Sequence, residues 1–423
     1  KNKGMGCMKL QNKKVIVITN SSSYEPRAEW VGELFKSQGA QVLWVETDFI
    51  HREKVKKVRN APDHIYIDTV PYRKNLSVRR LYSQYDFARK TEKLLKEEQV
   101  DLVYIILPAN SLAKAGENLI RNMKKAQRKQ ADGANTAPVL VFDILDLWPE
   151  ALGIGKLQKL WPFQCWKRLR DDHLGAADLV ITECSYFQQF LKTEKEKMAT
   201  VYWPKEIPEN WEKNRREFEG DFAEFQGESS ENQKSDGQIA DVDGKLHFAY
   251  LGSINNIIDI EGIVNFLEHV KARKEVFLHV IGDGENRTVF EEALKNEEID
   301  AKFYGAVYDE TVKEEIFSRC MFGINMMKPG ICVGLTMKSI DYFCYGLPLI
   351  NNIPGDTWEL VEKEQIGINH QRNAVNGSVD KLFTLLEDGK IPEIRRRMQE
   401  LYIERFTPEA AETIIRERVF PLL

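Results

Sequence analysis

The sequence of 423 residues is too long for one ordinary hydrophobic core, so it predicts two α/β domains joined by a connecting segment. Its 43% hydrophobic and 30% charged residues are typical of a globular protein. The longest uninterrupted apolar run, residues 102–107, falls far short of the roughly 20 residues that a membrane-spanning helix needs. A chain that crosses a bilayer is therefore excluded at this stage.

The N-terminal residues and the cysteines both indicate a cytoplasmic protein. Residues 1–14 are charged, but the apolar stretch of a signal peptide does not follow them. The cysteines form no C-x-x-C pair and have no histidine at ligand spacing, which suits a reducing compartment and argues against a structural zinc site. They are Cys7, Cys165, Cys184, Cys320, Cys332 and Cys344.

The net charge of -5 hides an asymmetry between the two halves of the chain. Residues 1–210 carry 35 Lys and Arg against 26 Asp and Glu, a formal charge of +9, and the remainder carries -14. A basic half suits anionic lipid headgroups, a phosphate-bearing acceptor or nucleic acid. Scattered, solvated charge explains the same asymmetry equally well.

The first half alternates short apolar or β-branched runs with amphipathic stretches, the pattern of a parallel sheet covered by helices. A helix is predicted over residues 26–39, where Ala28, Val31 and Leu34 share one face and Gly39 supplies the stop. These elements define a predicted Rossmann-like domain over residues 8–210. Its strands are predicted at residues 15–19, 41–46, 101–107, 138–144, 178–183 and 200–203.

The alternation stops after Trp211 and resumes at residue 246. Residues 211–245 are rich in Glu, Gln, Ser, Gly and Asp and poor in branched apolar residues, which predicts a linker or mobile insertion. A second Rossmann-like domain is predicted over 246–405, followed by a C-terminal helix in 406–423 that packs back on the first domain. The strands of this second domain are predicted at residues 246–252, 276–282, 302–306, 321–327, 347–351 and 366–369.

Parallel sheets bind ligands beyond the carboxyl ends of their strands, so the loops after the strands are the candidate site. In the first half, the apolar strand that ends at Asp143 and Asp146 runs into Trp148 and Glu150. Asp146 and Glu150 are candidates to hydrogen-bond sugar hydroxyls. The alternative is that Asp146 caps the following helix and Trp148 packs in the core.

Three loops of the second half are candidates to bind a ligand through exposed backbone amides. Their glycines also fit ordinary tight turns, so both interpretations stay open. The glycine fingerprint of dinucleotide-binding proteins is absent from the first turn of either half. The candidates are Gly252, Ser253 and Asn255 in the first loop, Gly282, Asp283 and Gly284 in the second, and Gly305 and Val307 in the third.

The most informative segment is residues 325–352, in which a loop feeds a short helix near Thr336 that Gly346 ends. Lys338 lies in the first turn of that helix and Asp341 follows three residues later. A cation beside a helix N-terminus suits a diphosphate, and a carboxylate one turn along suits the diol of a ribose. The alternative is a surface Lys-Asp pair at i,i+3 spacing.

These motifs in this order resemble glycosyltransferase family 4 over nearly the whole chain except residues 213–244. Residues 146–152 (DLWPEAL) are similar to the D-x-W-P-E element of members that build surface polysaccharides. In the second half, residues 250–267, 279–287 and 338–350 resemble the donor-binding elements of the family in their order. The resemblance implies the GT-B fold, in which two Rossmann-like domains face each other across a cleft.

One position departs from the pattern that many members share. Those members carry a Glu-x7-Glu pair, the first glutamate on the donor sugar and the second on the ribose. Here Asp341 stands at the second position and Val333 at the first. The resemblance is to the branch with K-x-x-E-Y-x-x-x-G-x-P, kept as Lys338, Asp341, Tyr342, Gly346 and Pro348.

The resemblance implies a hexosyltransferase that moves a sugar from a nucleoside diphosphate, preferably UDP, to a glycan or lipid-linked acceptor. It also implies retention of anomeric configuration, no metal, no cofactor besides the donor and no nucleic acid partner, in surface polysaccharide or glycoconjugate synthesis. Lys338 is expected to stabilise the departing diphosphate, and Asp146 or Glu150 to orient the acceptor. Two alternatives remain, a non-catalytic sugar-nucleotide-binding partner of another glycosyltransferase and a two-domain NAD-dependent oxidoreductase.

Residues 156–170 combine five basic side chains with Trp161, Phe163 and Trp166. Basic plus aromatic content is typical of an interfacial element, which predicts peripheral contact with an anionic membrane on its inner face. Pro162 interrupts a continuous helix there, and ordinary packing of the aromatic residues is the alternative.

Overall fold

The computed structural model describes residues 10–56, 58–127, 138–209, 211 and 243–423. The chain divides into two compact units. Unit 1 comprises Lys1–Trp203 and Ala411–Leu423, and unit 2 comprises Pro204–Ala410. Most of the predicted linker, residues 212–242, lies outside the described residues. None of the described helices is long and apolar enough to cross a membrane.

Unit 1 is built mainly of alternating strands and helices. Its strands are β1 Lys14–Thr19, β2 Gln41–Thr47, β3 Phe49–Ile50, β4 Val55–Lys56, β5 His64–Ile67, β6 Leu102–Leu107, β7 Val139–Ile144, β8 Leu179–Thr182 and β9 Met198–Thr200. Its helices are α1 Glu25–Ser37, α2 Val78–Leu95, α3 Ser111–Gln127, α4 Trp161–Asp171 and α5 Ser185–Gln188, before a C-terminal helix given below. Pro26 stands in the first turn of α1, where a missing N–H costs nothing.

Seven of these strands form one parallel sheet in the order β5-β2-β1-β6-β7-β8-β9. The central strands β6 and β7 are apolar and buried almost throughout, as expected for a sheet covered on both faces. β3 and β4 form a separate antiparallel hairpin. The strand predicted at residues 200–203 exists but lies earlier, because β9 pairs with β8 over Met198–Thr200.

β5, which pairs with β2 at the edge of this sheet, is not among the strands predicted from the sequence. It has only four residues, of which three are half-buried, so it lacks the continuous apolar run of a central strand. The imidazole of His64 stacks on Trp44 of β2 with ring centroids 4.8 Å apart. That contact between side chains on different strands is not visible in a local pattern.

Unit 2 repeats the alternation. Its strands are β10 Leu246–Leu251, β11 Val276–Ile281, β12 Asp300–Gly305, β13 Phe322–Asn325, β14 Leu349–Asn351 and β15 Gly367–Asn369. Its helices are α6 Ile260–Lys271, α7 Arg287–Asn296, α8 Glu310–Ser318, α9 Met337–Cys344, α10 Asp356–Glu364, α11 Val375–Glu387 and α12 Ile391–Arg405, before α13 Pro408–Arg418, which begins at the end of this unit. Asp259, Asp309 and Thr336 cap the N-termini of α6, α8 and α9 through their side chains.

The second sheet is also parallel, in the order β12-β11-β10-β13-β14-β15. In both sheets the order in which strands are added reverses beside the first strand. The reversal lies between β1 and β6 in unit 1 and between β10 and β13 in unit 2. Such switch points place two diverging loops at the carboxyl edge, where α/β sheets bind ligands. Each unit therefore has its own candidate site at this edge.

The last residues of the chain belong to the core of unit 1. Ile415, Val419 and Phe420 are buried in the cluster that contains the apolar faces of α1 and the sheet. The ring of Phe420 lies 5.7 Å from that of Phe35 in α1, measured between centroids. α13 thus covers one face of the first sheet although it lies at the opposite end of the sequence.

Candidate functional site

In unit 2 the candidate site lies beyond β10 and β13, where the loop 252–259 meets the loop 326–336. The backbone N–H of Lys328 donates to the carbonyl of Ile257 at 2.8 Å, which ties the two loops together. The loop after β13 then enters α9, whose cap is the Thr336 hydroxyl, an acceptor from Ser339 N–H. The N-terminus of an eight-residue helix is thereby fixed beside the end of β10.

Lys338 lies in the first turn of α9 and is buried, with 8% of its surface exposed. Its Nζ sits 4.6 Å from the centroid of the Tyr250 ring. No carboxylate in the described parts of the chain forms an ion pair with it, and burial alone lowers its pKa from 10.5 to about 7. A buried ammonium without a counter-ion is a ready site for an anion.

Gly252 borders this cation. Its φ of +123° is one that side-chain-bearing residues rarely adopt, and a Cβ built on it would meet only Lys338 Cδ, at 3.9 Å. Ser253, the next residue, is exposed. The Gly252 N–H donates to the Ile281 carbonyl at 2.9 Å, so the predicted exposed amide at Gly252 is wrong, and a ligand contact of Ser253 stays a prediction.

Gly282 and Gly284 have a different role, since a side chain at either would collide with the neighbouring loop. A Cβ at Gly282 would lie 1.9 Å from the carbonyl oxygen of Gly252, and one at Gly284 would lie 2.4 Å from that of Ile254. The N–H of Ile254 donates to the Asp283 carbonyl at 2.9 Å. These glycines are required by close packing of two loops, and direct contact with a ligand stays a prediction.

The side chains of Asp283 and Asn255 serve the same loops. The Asp283 carboxylate accepts from Gly284 N–H at 2.8 Å, and the Asn255 side-chain oxygen accepts from Ile257 N–H at 3.1 Å. Both are local turns of the kind that Asp and Asn stabilise. Their predicted role toward the donor is untested.

At the end of β12 the backbone is open. Gly305 has φ +73°, and within the part of the chain that the structure describes no atom lies within 4 Å of a Cβ built on it. Its carbonyl accepts from Gly282 N–H at 2.7 Å, which joins the end of β12 to the loop after β11. Val307 is half-buried and Tyr308 is 83% exposed. An aromatic side chain in that position is free to pack on a planar ligand.

Asp341 and Lys338 are not paired with each other, so the interpretation as a surface Lys-Asp pair is wrong. Asp341 is buried and accepts from Lys205 Nζ, and Lys313 Nζ lies 3.9 Å away. It borders a pocket of about 460 Å³ that Lys205, Glu310, Tyr345 and Tyr402 also line. Lys205 is not among the site residues predicted from the sequence, because it lies in a segment without any motif.

In unit 1 the strand β7 ends in a network of buried charges. Asp143 is buried and accepts from Arg27 Nε at 2.9 Å and from the Tyr104 hydroxyl at 2.6 Å. Asp146, two residues past β7, is half-buried and accepts from the Tyr24 hydroxyl. Burial raises the pKa of Asp146, and burial together with the charge of Asp146 raises the pKa of Glu183 to about 8. Asp146 thus contacts a tyrosine rather than capping a helix.

Glu150 is held by internal ion pairs. Its carboxylate accepts from Arg170 at 2.9 and 3.2 Å, and Lys167 Nζ lies 2.8 Å away. Burial raises its pKa, but the hydrogen bonds from Arg170 and Lys167 outweigh that effect and bring the pKa below its ordinary value. These contacts explain the residue as part of the fold, and its predicted role toward an acceptor is untested.

The segment 155–170 forms a short 3-10 turn and then α4, with Pro162 in the first helical turn. Leu157, Leu160 and Trp161 are exposed, Trp161 to 76%. Trp166 is half-buried and packs on Trp148 with ring centroids 5.9 Å apart. One aromatic of the segment therefore packs internally, and another is presented to solvent.

No family model and no curated protein matches the sequence. Solved structures do match over almost the whole chain. The apo lipopolysaccharide outer core galactosyltransferase WaaB is 13% identical with a TM-score of 0.61, covering 97% of this chain and 100% of that one. HepE of Anabaena in complex with UDP-glucose is 14% identical with a TM-score of 0.59, covering 96% and 98%.

Sucrose-phosphate synthase of Thermosynechococcus elongatus is 12% identical with a TM-score of 0.61, covering 96% of this chain and 98% of that one. Similarity at this level of identity is evidence about architecture. Two parallel α/β sheets, each with a switch point beside its first strand, agree with it. The chain therefore has the GT-B fold, the architecture of these glycosyltransferases.

Proposed function

We propose that the protein transfers a sugar from a nucleoside diphosphate donor, UDP by preference, to a glycan or lipid-linked acceptor. The observation that carries this proposal is Lys338, a buried ammonium without a counter-ion in the described parts of the chain, at a helix N-terminus and beside Gly252. A diphosphate would supply the missing negative charge. The complex of HepE with UDP-glucose, on the same fold, supports the choice of UDP.

The physical role of Lys338 in transfer follows from where charge develops. When the bond between the sugar and the diphosphate breaks, negative charge grows on the leaving oxygen. An ammonium held in a water-poor site stabilises that charge more strongly than one in bulk solvent would. Lys338, the first turn of α9 and the backbone amide of Ser253 provide this stabilisation in the proposal.

The nucleoside occupies the neighbouring elements of unit 2. We assign the base to the open backbone at Gly305 and Val307, with Tyr308 beside it, and the ribose diol to Asp341. Because Asp341 is bound by Lys205, ribose binding requires its carboxylate to accept from the diol alongside or in place of that lysine. The acceptor is assigned to unit 1, where Asp146 lies at the carboxyl edge of β7.

Finer features of the reaction are part of the same proposal. Transfer proceeds with retention of configuration and without a metal, since Lys338 supplies the positive charge that a metal would otherwise bring to the diphosphate. The product belongs to a surface polysaccharide or glycoconjugate. Unchanged turnover in EDTA and NMR of the anomeric carbon of the product test the first two features.

Titration calorimetry with UDP, UDP-glucose and NAD tests the assignment. We expect UDP and UDP-glucose to bind, NAD to give no heat, and Lys338→Met to weaken UDP binding at least about tenfold, because a charge-assisted contact to phosphate is lost. Lys381→Met is the matched control, since Lys381 is an exposed lysine of α11 in the same unit. No UDP binding by the wild-type chain, or equal losses in both variants, contradicts the proposal.

A mass-detected assay of donor hydrolysis and transfer separates the proposed enzyme from its alternatives. A non-catalytic sugar-nucleotide-binding partner would bind UDP-glucose but release no glucose from it. A nicotinamide-dependent oxidoreductase would bind NAD instead. Turnover of any UDP-sugar by the wild-type chain that Lys338→Met reduces excludes both.

We further propose that unit 1 docks on an anionic membrane through residues 156–161. Lys156 and Lys159 are exposed beside Leu157, Leu160 and Trp161, so apolar insertion and charge attraction act at one place. The wild-type protein should float with anionic vesicles, and the Trp161→Ala variant should not. Val289→Ala, which changes an exposed apolar residue of unit 2, is the control and should float like the wild type. If the wild-type chain does not float, the proposal of membrane docking is contradicted, and the proposed sugar transfer is unaffected.

A further inference from the structure

A narrow pocket lies at the switch point of the first sheet, inside unit 1. Asn20 and Ser21 follow β1 and Pro108 and Ala109 follow β6, and all four line it. This is the edge at which α/β sheets bind ligands. Its volume of about 10 Å³ is too small for a sugar ring and takes about one water-sized group, such as a single oxygen of an oxyanion.

Arg80, in the first turn of α2, forms one wall of this pocket. Only 9% of its surface is exposed. Its guanidinium carbon lies 4.2 Å from the centroid of the Trp148 ring, and Nη1 donates to the Asn75 carbonyl at 2.8 Å. The buried Nε has no hydrogen-bond partner among the described residues.

The other two deeply buried arginines of unit 1 are neutralised by carboxylates. Arg27 is paired with Asp143 at 2.9 Å, and Arg170 with Glu150 at 2.9 Å. Arg80 forms no ion pair with a carboxylate in the described parts of the chain. Its hydrogen bonding is to neutral groups, and Asp146, itself bound by the Tyr24 hydroxyl, attracts it only from a greater distance.

An unpaired guanidinium in such a place carries a large desolvation cost. Burial lowers the pKa of Arg80, which is the signature of that cost. A neutral hydroxyl of a ligand would leave the positive charge uncompensated. An oxyanion would compensate it, with the directional geometry that guanidinium offers to phosphate and carboxylate.

We propose that this pocket binds an oxyanion carried by the acceptor, a phosphate ester or a carboxylate, and that Arg80 recognises it. The inference rests on the proposed function, because it takes unit 1 as the acceptor-binding part of a sugar transferase. It restricts the acceptor to an anionic glycan or lipid-linked molecule. Since the pocket admits a small group only, Arg80 recognises the charged substituent, and the sugar ring of the acceptor lies outside.

The test compares glucose 1-phosphate, glucuronate and glucose as probes of the full chain by calorimetry. We expect at least one of the two anionic sugars to bind at least about tenfold more tightly than glucose, because a charge-assisted contact is added. The stronger of the two identifies the source of the oxyanion. Arg80→Gln should abolish this preference, and Arg80→Lys should restore part of it because the charge returns without the fork of N–H donors.

Arg73→Gln is the matched control, since Arg73 is an exposed arginine seven residues earlier in the same basic segment. If Arg73→Gln lowers the preference as much as Arg80→Gln does, the effect is general surface charge and the proposal is overturned. Equal binding of glucose and both anionic sugars overturns it as well.

Two further measurements keep the outcome interpretable. The Nε–H resonance of Arg80 in the wild-type protein, identified by its loss in Arg80→Lys, should shift when glucose 1-phosphate or glucuronate is added, and a resonance that stays in place contradicts the proposal. UDP binding should be unchanged in Arg80→Gln, because the nucleotide is assigned to unit 2. A wild-type chain that binds UDP but shows no anion preference refutes this inference alone, and one that does not bind UDP refutes the proposed function.

Discussion

Both units bury a cation in the helix that follows a strand at the switch point, but they treat its charge in opposite ways. In unit 1, Arg27 of α1 is paired with Asp143 and also donates to the carbonyls of Val201 and Tyr202. In unit 2, Nζ of Lys338 in α9 lies over the ring of Tyr250, and Lys338 forms no ion pair with a carboxylate among the described residues. A fully paired buried charge holds strands together, whereas an unpaired one indicates a place for a ligand.

Breaking the paired charge should have the largest effect. Arg27→Met leaves Asp143 buried and short of its cation, so the free energy of unfolding of unit 1 should fall by about 3–5 kcal/mol. Lys36→Met, which removes an exposed ion pair with Asp63 at 3.0 Å, should cost much less, because water screens that pair. Urea unfolding followed by circular dichroism measures both. Equal losses would mean that the buried pair has no special role.

Removing the unpaired charge should affect activity and leave stability intact. Lys338→Met should lower kcat/KM for donor turnover by about 10²–10³-fold, as for other preorganised groups that stabilise a leaving charge. Its melting temperature should not fall, because methionine fills similar space and needs no solvation. A variant that unfolds like Arg27→Met, or that turns over donor normally, would remove the contrast between the two cations.

Alanine substitutions at two glycines of unit 2 should distinguish a glycine that close loop packing requires from one with open space around it. Gly282→Ala places Cβ against the Gly252 carbonyl and should destabilise unit 2 by more than about 2 kcal/mol. Gly305→Ala meets no atom and carries only the cost of its φ of +73°, about 1–2 kcal/mol. Chemical unfolding of both variants measures this difference. The prediction fails if Gly305→Ala is the more destabilising of the two.

A pH dependence follows from the lowered pKa of Lys338. Between about pH 7 and its ordinary value of 10.5, the unfolded chain holds a proton that the folded chain has released. Lys338 therefore makes stability rise with pH in this range, by at most about 1.4 kcal/mol per pH unit. UDP affinity should fall as pH rises above 7, because the diphosphate needs the charged form. Lys338→Met should lack both trends.

The central strands and the loops that follow them could be predicted from the sequence. β6 is a continuous apolar run, and β7, β10 and β11 are apolar apart from one Asp or His each, because each strand is buried on both faces. The placement of Lys338 in the first turn of α9 was also predicted correctly, since a Thr cap and a terminal glycine define a helix locally. Short edge strands such as β5 were missed, because their stability comes from a neighbouring strand.

Local residue patterns thus determined by themselves the fold class, the order of elements and the loops where a ligand would bind. Only the tertiary structure decided which buried charges have partners: Arg27 meets Asp143 and Asp341 meets Lys205, each across more than 100 residues of chain, while Lys338 and Arg80 meet no carboxylate among the described residues. The physical reason is that hydrophobic periodicity is a property of adjacent residues. The neutralisation of a charge depends on which distant side chains the fold brings within a few ångströms.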